Sequence, residues 1–160
     1  HGIEAITDVH GGAGAKAAEF FKSCSSIEGG DKKENIENMI RSYINDGKKI
    51  EGMGHRIHTK DPRRDVLYEI AEKYGIGKEC TEMSKYMTEA FQKVKGMHLP
   101  INVDGVIGAI TADMGLDSRA AKGIFIMGRT AGLSAHYFEE IKTQSPMRRI
   151  NFSEAVYKGK

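Results

Sequence analysis

The sequence predicts an all-α fold. Three observations carry that reading: apolar residues recur at helical spacing along most of the chain, glycines and capping residues punctuate those runs, and alternating strand-like runs are essentially absent. The first helical segment, 13–24, is alanine-rich and carries Phe20 and Phe21. In the second, Ile36, Met39, Ile40, Tyr43 and Ile44 fall at i, i+3, i+4, i+7 and i+8, which lines one face of an amphipathic helix. Asp31 reads as its N-cap, with Glu34 three residues on, and Gly47 as its stop. A shorter helix over 64–74 carries Val66, Leu67, Ile70 and Ala71 and stops at Gly75. Met83, Tyr86, Met87, Ala90, Phe91 and Val94 repeat the stripe, and Gly96 ends it. Residues 103–114 and 119–141 read as two further helices, separated by Gly115 and a capping Asp117 or Ser118. The helical core thus covers 13–141. Residues 142–160, with Pro146 and two arginines, read as a less regular C-terminal tail.

Composition narrows the function classes. A chain of 160 residues holds one domain with a core of useful size. A net charge of +2 gives no field that would recruit nucleic acid, and no apolar run approaches the ~20 residues that cross a bilayer. The basic residues instead cluster around 55–64 and at Arg148-Arg149, which suits a small bound anion. Two cysteines, Cys24 and Cys80, are too few for a disulfide framework, so a reducing cytoplasm is the expected setting. The chain begins at His1 rather than Met and reads as a piece of a longer protein.

Three segments place an ionisable residue beside glycine, near the start of a helix: Asp8-Val9-His10-Gly11-Gly12-Ala13, the stretch 52–63, and Ile101-Asn102-Val103-Asp104-Gly105. A helix start offers unpaired N–H groups and a positive partial charge, which suit an anion or a developing enolate. The 52–63 stretch is the richest. Gly52 and Gly54 let backbone approach a ligand, and His55 can exchange a proton. Arg63, set behind Pro62, can grip a carboxylate through two parallel hydrogen bonds. Each segment also has a plainer reading. His10 before two glycines can be a turn residue, and Asp104 can be a helix N-cap. His55 and His58 lack further ligands at zinc-like spacing, so no metal is expected. Gly52-x-Gly54 lacks the third glycine of a dinucleotide fingerprint, and neither cysteine has a base nearby in sequence.

Taken in order, His10-Gly-Gly-Ala, Gly-x-Gly-His55 with Asp61-Pro-Arg63, Asn102-Val-Asp104 and Gly128-Arg129-Thr-Ala-Gly132 with Ala135-His136 resemble the citrate synthase superfamily across nearly the whole chain. The matched pattern is that of the C-terminal part of such a protein. The resemblance implies the helical citrate synthase-like fold, mainly the small domain with adjoining large-domain helices. Asp104 is followed by glycine rather than an aromatic residue, the His55–Arg63 interval is one residue shorter than in common synthases, and the tail reads Pro146-Met147-Arg148-Arg149-Ile150. These details are similar to the short citryl-CoA lyase-type members.

What the resemblance implies is coenzyme A thioester chemistry on a dicarboxylate. The reaction is cleavage of citryl-CoA to acetyl-CoA and oxaloacetate, or the reverse, citrate-forming condensation. A citrate or 2-methylcitrate synthase is the near alternative, and a non-catalytic CoA- or dicarboxylate-binding module the distant one. Carried over by motif, Asp104 is the carbon acid–base, His10 hydrogen-bonds the thioester oxygen, and His55 handles the proton on the hydroxyl or keto oxygen. Arg63, Arg129 and Arg149 bind carboxylates, with Arg148 an open alternative to Arg149. Arg56, His58 and Lys60 face the coenzyme A phosphates. In the family the last carboxylate-binding arginine comes from the other subunit, so a homodimer is implied.

Overall fold

The computed structural model describes residues 2–8, 11–55, 59–149, 151, 153 and 156. Six helices are present among them: α1 (Ala13–Ser25), α2 (Lys32–Asn45), α3 (Pro62–Lys73), α4 (Glu79–Lys95), α5 (Val103–Asp113) and α6 (Ala120–Thr143). The only extended pairing among the described residues is an isolated antiparallel bridge between Met53 and Ile101.

The helix limits follow the local chemistry. Asp31 caps α2 by accepting from the N–H groups of Lys33 and Glu34. Gly96, at φ 69°, turns the chain out of α4 in the left-handed region that a side chain resists. The largest departures from expectation are at α3 and α6, the latter running on to Thr143. Helix α3 begins at Pro62, two residues early, because Asp61 caps it and proline at the first helical position needs no N–H partner. The start of α6 has no side-chain cap of its own. Asp117 accepts from the Arg119 N–H at 2.9 Å, one turn upstream.

The core forms where α1 lies across α5, with α4 and α2 closing the other side. Phe20, Phe21, Ile36, Ile40, Met87, Ile101 and Val106 are all essentially enclosed there. Each such side chain contributes roughly 1.5–3 kcal/mol through burial. The α1–α5 crossing is unusually close. A Cβ placed on Gly108 would lie 2.7 Å from both Ala17 Cβ and the Gly14 carbonyl oxygen, so no side chain fits there. This crossing brings the first turn of α1 onto the first turn of α5.

Helix α6 differs in kind. Of its 24 residues only Ala121 is buried, while Met127, Tyr137, Phe138 and Ile141 are more than half exposed. No described helix is long and apolar enough to cross a membrane.

Candidate functional site

The site grows from the start of α5. Asn102 is the N-cap: its Oδ1 accepts from the Asp104 and Gly105 N–H groups at 3.0 and 3.3 Å. Asp104 is therefore not the cap, contrary to its plainer sequence reading. It sits in the first turn, partly buried, with Oδ1 shielded from solvent. There the helix presents its positive end to the carboxylate.

The Gly52–His55 loop is clasped to the same helix start by backbone. The Asn102 N–H donates to the Gly52 carbonyl at 3.0 Å, and the Gly54 N–H donates to the Pro100 carbonyl at 2.6 Å. Asn102 Nδ2 closes the clasp on the Gly54 carbonyl at 2.8 Å. Gly52 adopts φ +80°, and a Cβ there would lie 2.5 Å from the Gly105 Cα. Two glycines thus let two backbones meet, and His55 follows immediately, half-buried.

Arg63 arrives from the first turn of α3. Its Nε donates to Asp61 Oδ1 and its Nη2 to Asp61 Oδ2, both at 2.9 Å. Asp61 is fully buried and also accepts from the backbone N–H of Arg63 at 3.1 Å and of Val103 at 2.9 Å. Burial alone pushes its carboxyl up. The Arg63 side chain and the two N–H donors outweigh that and hold it at about 2, below the ordinary 3.8. The Arg63 guanidinium is raised in turn, chiefly by its bond to Asp61 and in lesser part by the charges of Asp61 and Asp104. Arg63 and Asp104 therefore share one electrostatic environment.

The N-terminal segment meets this group from the far side of α1. Gly11 and Gly12 are buried, and a Cβ on Gly14 would lie 3.4 Å from the Asp104 carbonyl oxygen. A Cβ on Gly11 would press against the Phe125 ring at 2.8 Å, and the Arg129 guanidinium lies over that ring, 5.4 Å from its centre. Arg129 thus belongs to the side of the molecule that carries the Gly11 turn. Lys60 pairs with Asp65 at 2.7 Å. Arg148 donates to both oxygens of Glu140, whereas Arg149 stays exposed. His10, Arg56 and His58 lie outside the described residues.

Neither cysteine joins the site. Cys24 and Cys80 are buried free thiols, and burial pushes them up to about 12 and about 11, which disfavours the reactive thiolate. A cavity of about 360 Å³ between α2 and α4, lined by Lys32, Ile36, Met83 and Tyr86 among others, contains none of the candidate residues. Asp61 and Asn102 were the residues that sequence reasoning passed over. Asp61 carried a signal in the Asp-Pro pair, a common helix start, and Asn102 in its place just ahead of a helical run.

Residues 4–150 match the family described as citrate synthase, C-terminal domain. ATP-citrate synthase beta chain protein 1 of Arabidopsis thaliana is 26% identical over 175 residues, covering 98% of this chain and 28% of that protein. The structure of citryl-CoA lyase from Hydrogenobacter thermophilus superposes with a TM-score of 0.79 at 35% identity, over 99% of this chain and 61% of that one. A citrate synthase from Thermoplasma acidophilum, solved as a ternary complex with carboxymethyl coenzyme A and oxaloacetate, has a TM-score of 0.65 at 25% identity, over 97% and 41%. The chain therefore spans under a third of the plant relative and about three fifths of the lyase.

Proposed function

Because the chain belongs to the citrate synthase family, we propose that it carries the carbon–carbon bond chemistry of citryl-CoA: cleavage to acetyl-CoA and oxaloacetate, or the reverse condensation. The observation that bears most weight is the double attachment at the start of α5. One clasp brings the loop of His55 there and the other brings Arg63, beside the first-turn carboxylate of Asp104. The 35% identity with a citryl-CoA lyase favours the cleaving direction.

In that direction His55 takes the proton from the citryl hydroxyl. The oxygen's electrons form the keto group of oxaloacetate as the carbon–carbon bond breaks. The bond's electron pair passes to the thioester fragment as an enolate, whose oxygen His10 stabilises by hydrogen bonding. Asp104 in its protonated form then delivers a proton to the enol carbon, giving acetyl-CoA. Condensation runs the same transfers backward, with Asp104 as base. A thioester α-proton is only weakly acidic, so a carboxylate can remove it only while the enolate oxygen is stabilised.

Arg63, Arg129 and Arg149 hold the carboxylates. The bidentate pairing of Arg148 with Glu140 supports Arg149 over its neighbour for this role. Arg56, His58 and Lys60 face the phosphates of coenzyme A, which serves as substrate and not as a resident cofactor; no metal enters the scheme. Arg149 acts in the partner's site of a homodimer, and the uncovered apolar residues of α6 are consistent with a covered face in the assembly.

The test is an assay of the intact protein with citryl-CoA, and separately with oxaloacetate plus acetyl-CoA or propionyl-CoA. Release of oxaloacetate from citryl-CoA is expected. Turnover with propionyl-CoA alone would reassign it as a 2-methylcitrate synthase. Ligand binding without turnover of any of these would leave a non-catalytic module.

A further inference from the structure

Asp61 belongs to no step of that scheme, yet it joins Arg63 to the first N–H of α5. Its carboxylate is enclosed and takes four donors: the Arg63 backbone N–H, two guanidinium N–H groups of Arg63, and the Val103 N–H that opens α5. Arg63 itself is half exposed, and an arginine in that position ordinarily samples many rotamers. Asp61 occupies the side of the guanidinium, Nε and Nη2. A guanidinium carries five N–H donors, so three remain, including the parallel pair on Nη1 and Nη2 that matches a carboxylate.

We infer that Asp61 is a positioning residue, which fixes the open end of the Arg63 fork in the same frame as the Asp104 carboxylate by bonding Arg63 and the first N–H of α5 with one buried carboxylate. A substrate carboxylate gripped by Arg63 is thereby held at a set distance from the acid–base on the next residue but one of the Asn102 cap. The inference rests on the proposed dicarboxylate role of Arg63. It predicts that orientation of Arg63, beyond its charge, sets substrate affinity.

The experiment uses the intact protein with oxaloacetate and coenzyme A as calorimetric probes. Arg63→Leu tests the underlying reading: unchanged oxaloacetate affinity there removes Arg63 from the site and the inference with it. Asp61→Asn retains the volume but turns a donor toward Arg63 or Val103. It is expected to weaken oxaloacetate binding at least ~10-fold while coenzyme A affinity stays within about twofold, the pattern of a lost charge-assisted pair. Asp61→Asn combined with Arg63→Leu is expected to be no worse than Arg63→Leu alone, because the first acts through the second. Arg63→Lys, at a half-exposed position, guards against a variant that fails to fold. It keeps the charge without the planar fork, and is also expected to lose at least ~10-fold. Equal losses for both probes in Asp61→Asn, or full oxaloacetate affinity in Arg63→Lys, would overturn the assignment in favour of a purely structural aspartate.

Discussion

At the C-terminal end of α5, Asp113 accepts from the backbone N–H groups of Lys78, Cys80 and Thr81 and from the Thr81 hydroxyl, at 2.6–2.8 Å. It supplies the start of α4, which has no side-chain cap of its own, from more than thirty residues away. At the N-terminal end, Asp61 likewise serves a helix start in another segment. The two carboxylates are alike electrostatically: burial pushes each up, and donated hydrogen bonds pull each below the ordinary aspartate value. Their partners differ. Every donor on Asp113 is neutral and internal, so its bonds end in structure. Asp61 also holds a cation that projects half into solvent, so the same device ends in the group proposed to bind a carboxylate. A helix cap becomes part of a site when one of its donors has further donors to offer.

The sharpest way to break this comparison is at the functional end. Asp104→Asn in the intact protein is expected to lower turnover at least ~100-fold with little change in folding, the scale of a lost general acid–base. Near-normal rates in steady-state assay would remove Asp104 from the chemistry. At the structural end, Asp113→Ala strands three N–H groups and is expected to cost about 2–3 kcal/mol in urea unfolding. Its kcat, measured where the protein is still folded, should stay within about twofold. A large kcat loss would erase the distinction between the ends.

The acid limb separates the two further. Because the Asp61 carboxyl is depressed to about 2 from 3.8, its contribution is complete above about pH 4 and fades as pH falls toward 2. That contribution is about 2 kcal/mol. Unfolding followed between pH 5 and 2 should show a shallower acid loss in Asp61→Asn than in the unaltered protein. Parallel curves would mean that the carboxyl titrates normally. Arg129→Leu is expected to weaken oxaloacetate binding about tenfold and coenzyme A binding hardly at all. Equal calorimetric losses would place Arg129 elsewhere. The smallest effect belongs to Lys60→Ala, whose exposed pair with Asp65 is worth under about 0.5 kcal/mol. A larger shift in the unfolding midpoint would show that this end is more tightly coupled than its exposure implies.

Helical periodicity made most of the fold legible. The stripes from Ile36 to Ile44 and from Met83 to Val94 mark the core faces of α2 and α4, and the glycines at 47, 75 and 96 end their helices with positive φ. The start of α3 was missed by two residues because Pro62 interrupts a hydrophobic count while favouring a first helical turn. In the site, the residue types at 55, 63 and 104 are what suggested acid–base and anion chemistry. The clasp itself was not legible. It is built from backbone groups of Gly52, Gly54 and Pro100 and from long-range bonds of Asn102 and Asp61, and such bonds leave no periodic trace. For α6 the apolar residues were visible, but their exposure was not, because a stripe does not say what it faces.

The clasp and the Asp61 bond fasten the chain to α5 at two points, Gly54 and Asp61. At the second point the same carboxylate also holds the Arg63 guanidinium, so the two-residue spacing from Asp61 to Arg63 is set by that bond. One residue gained there would swing the guanidinium away from the start of α5 by about a third of a helical turn.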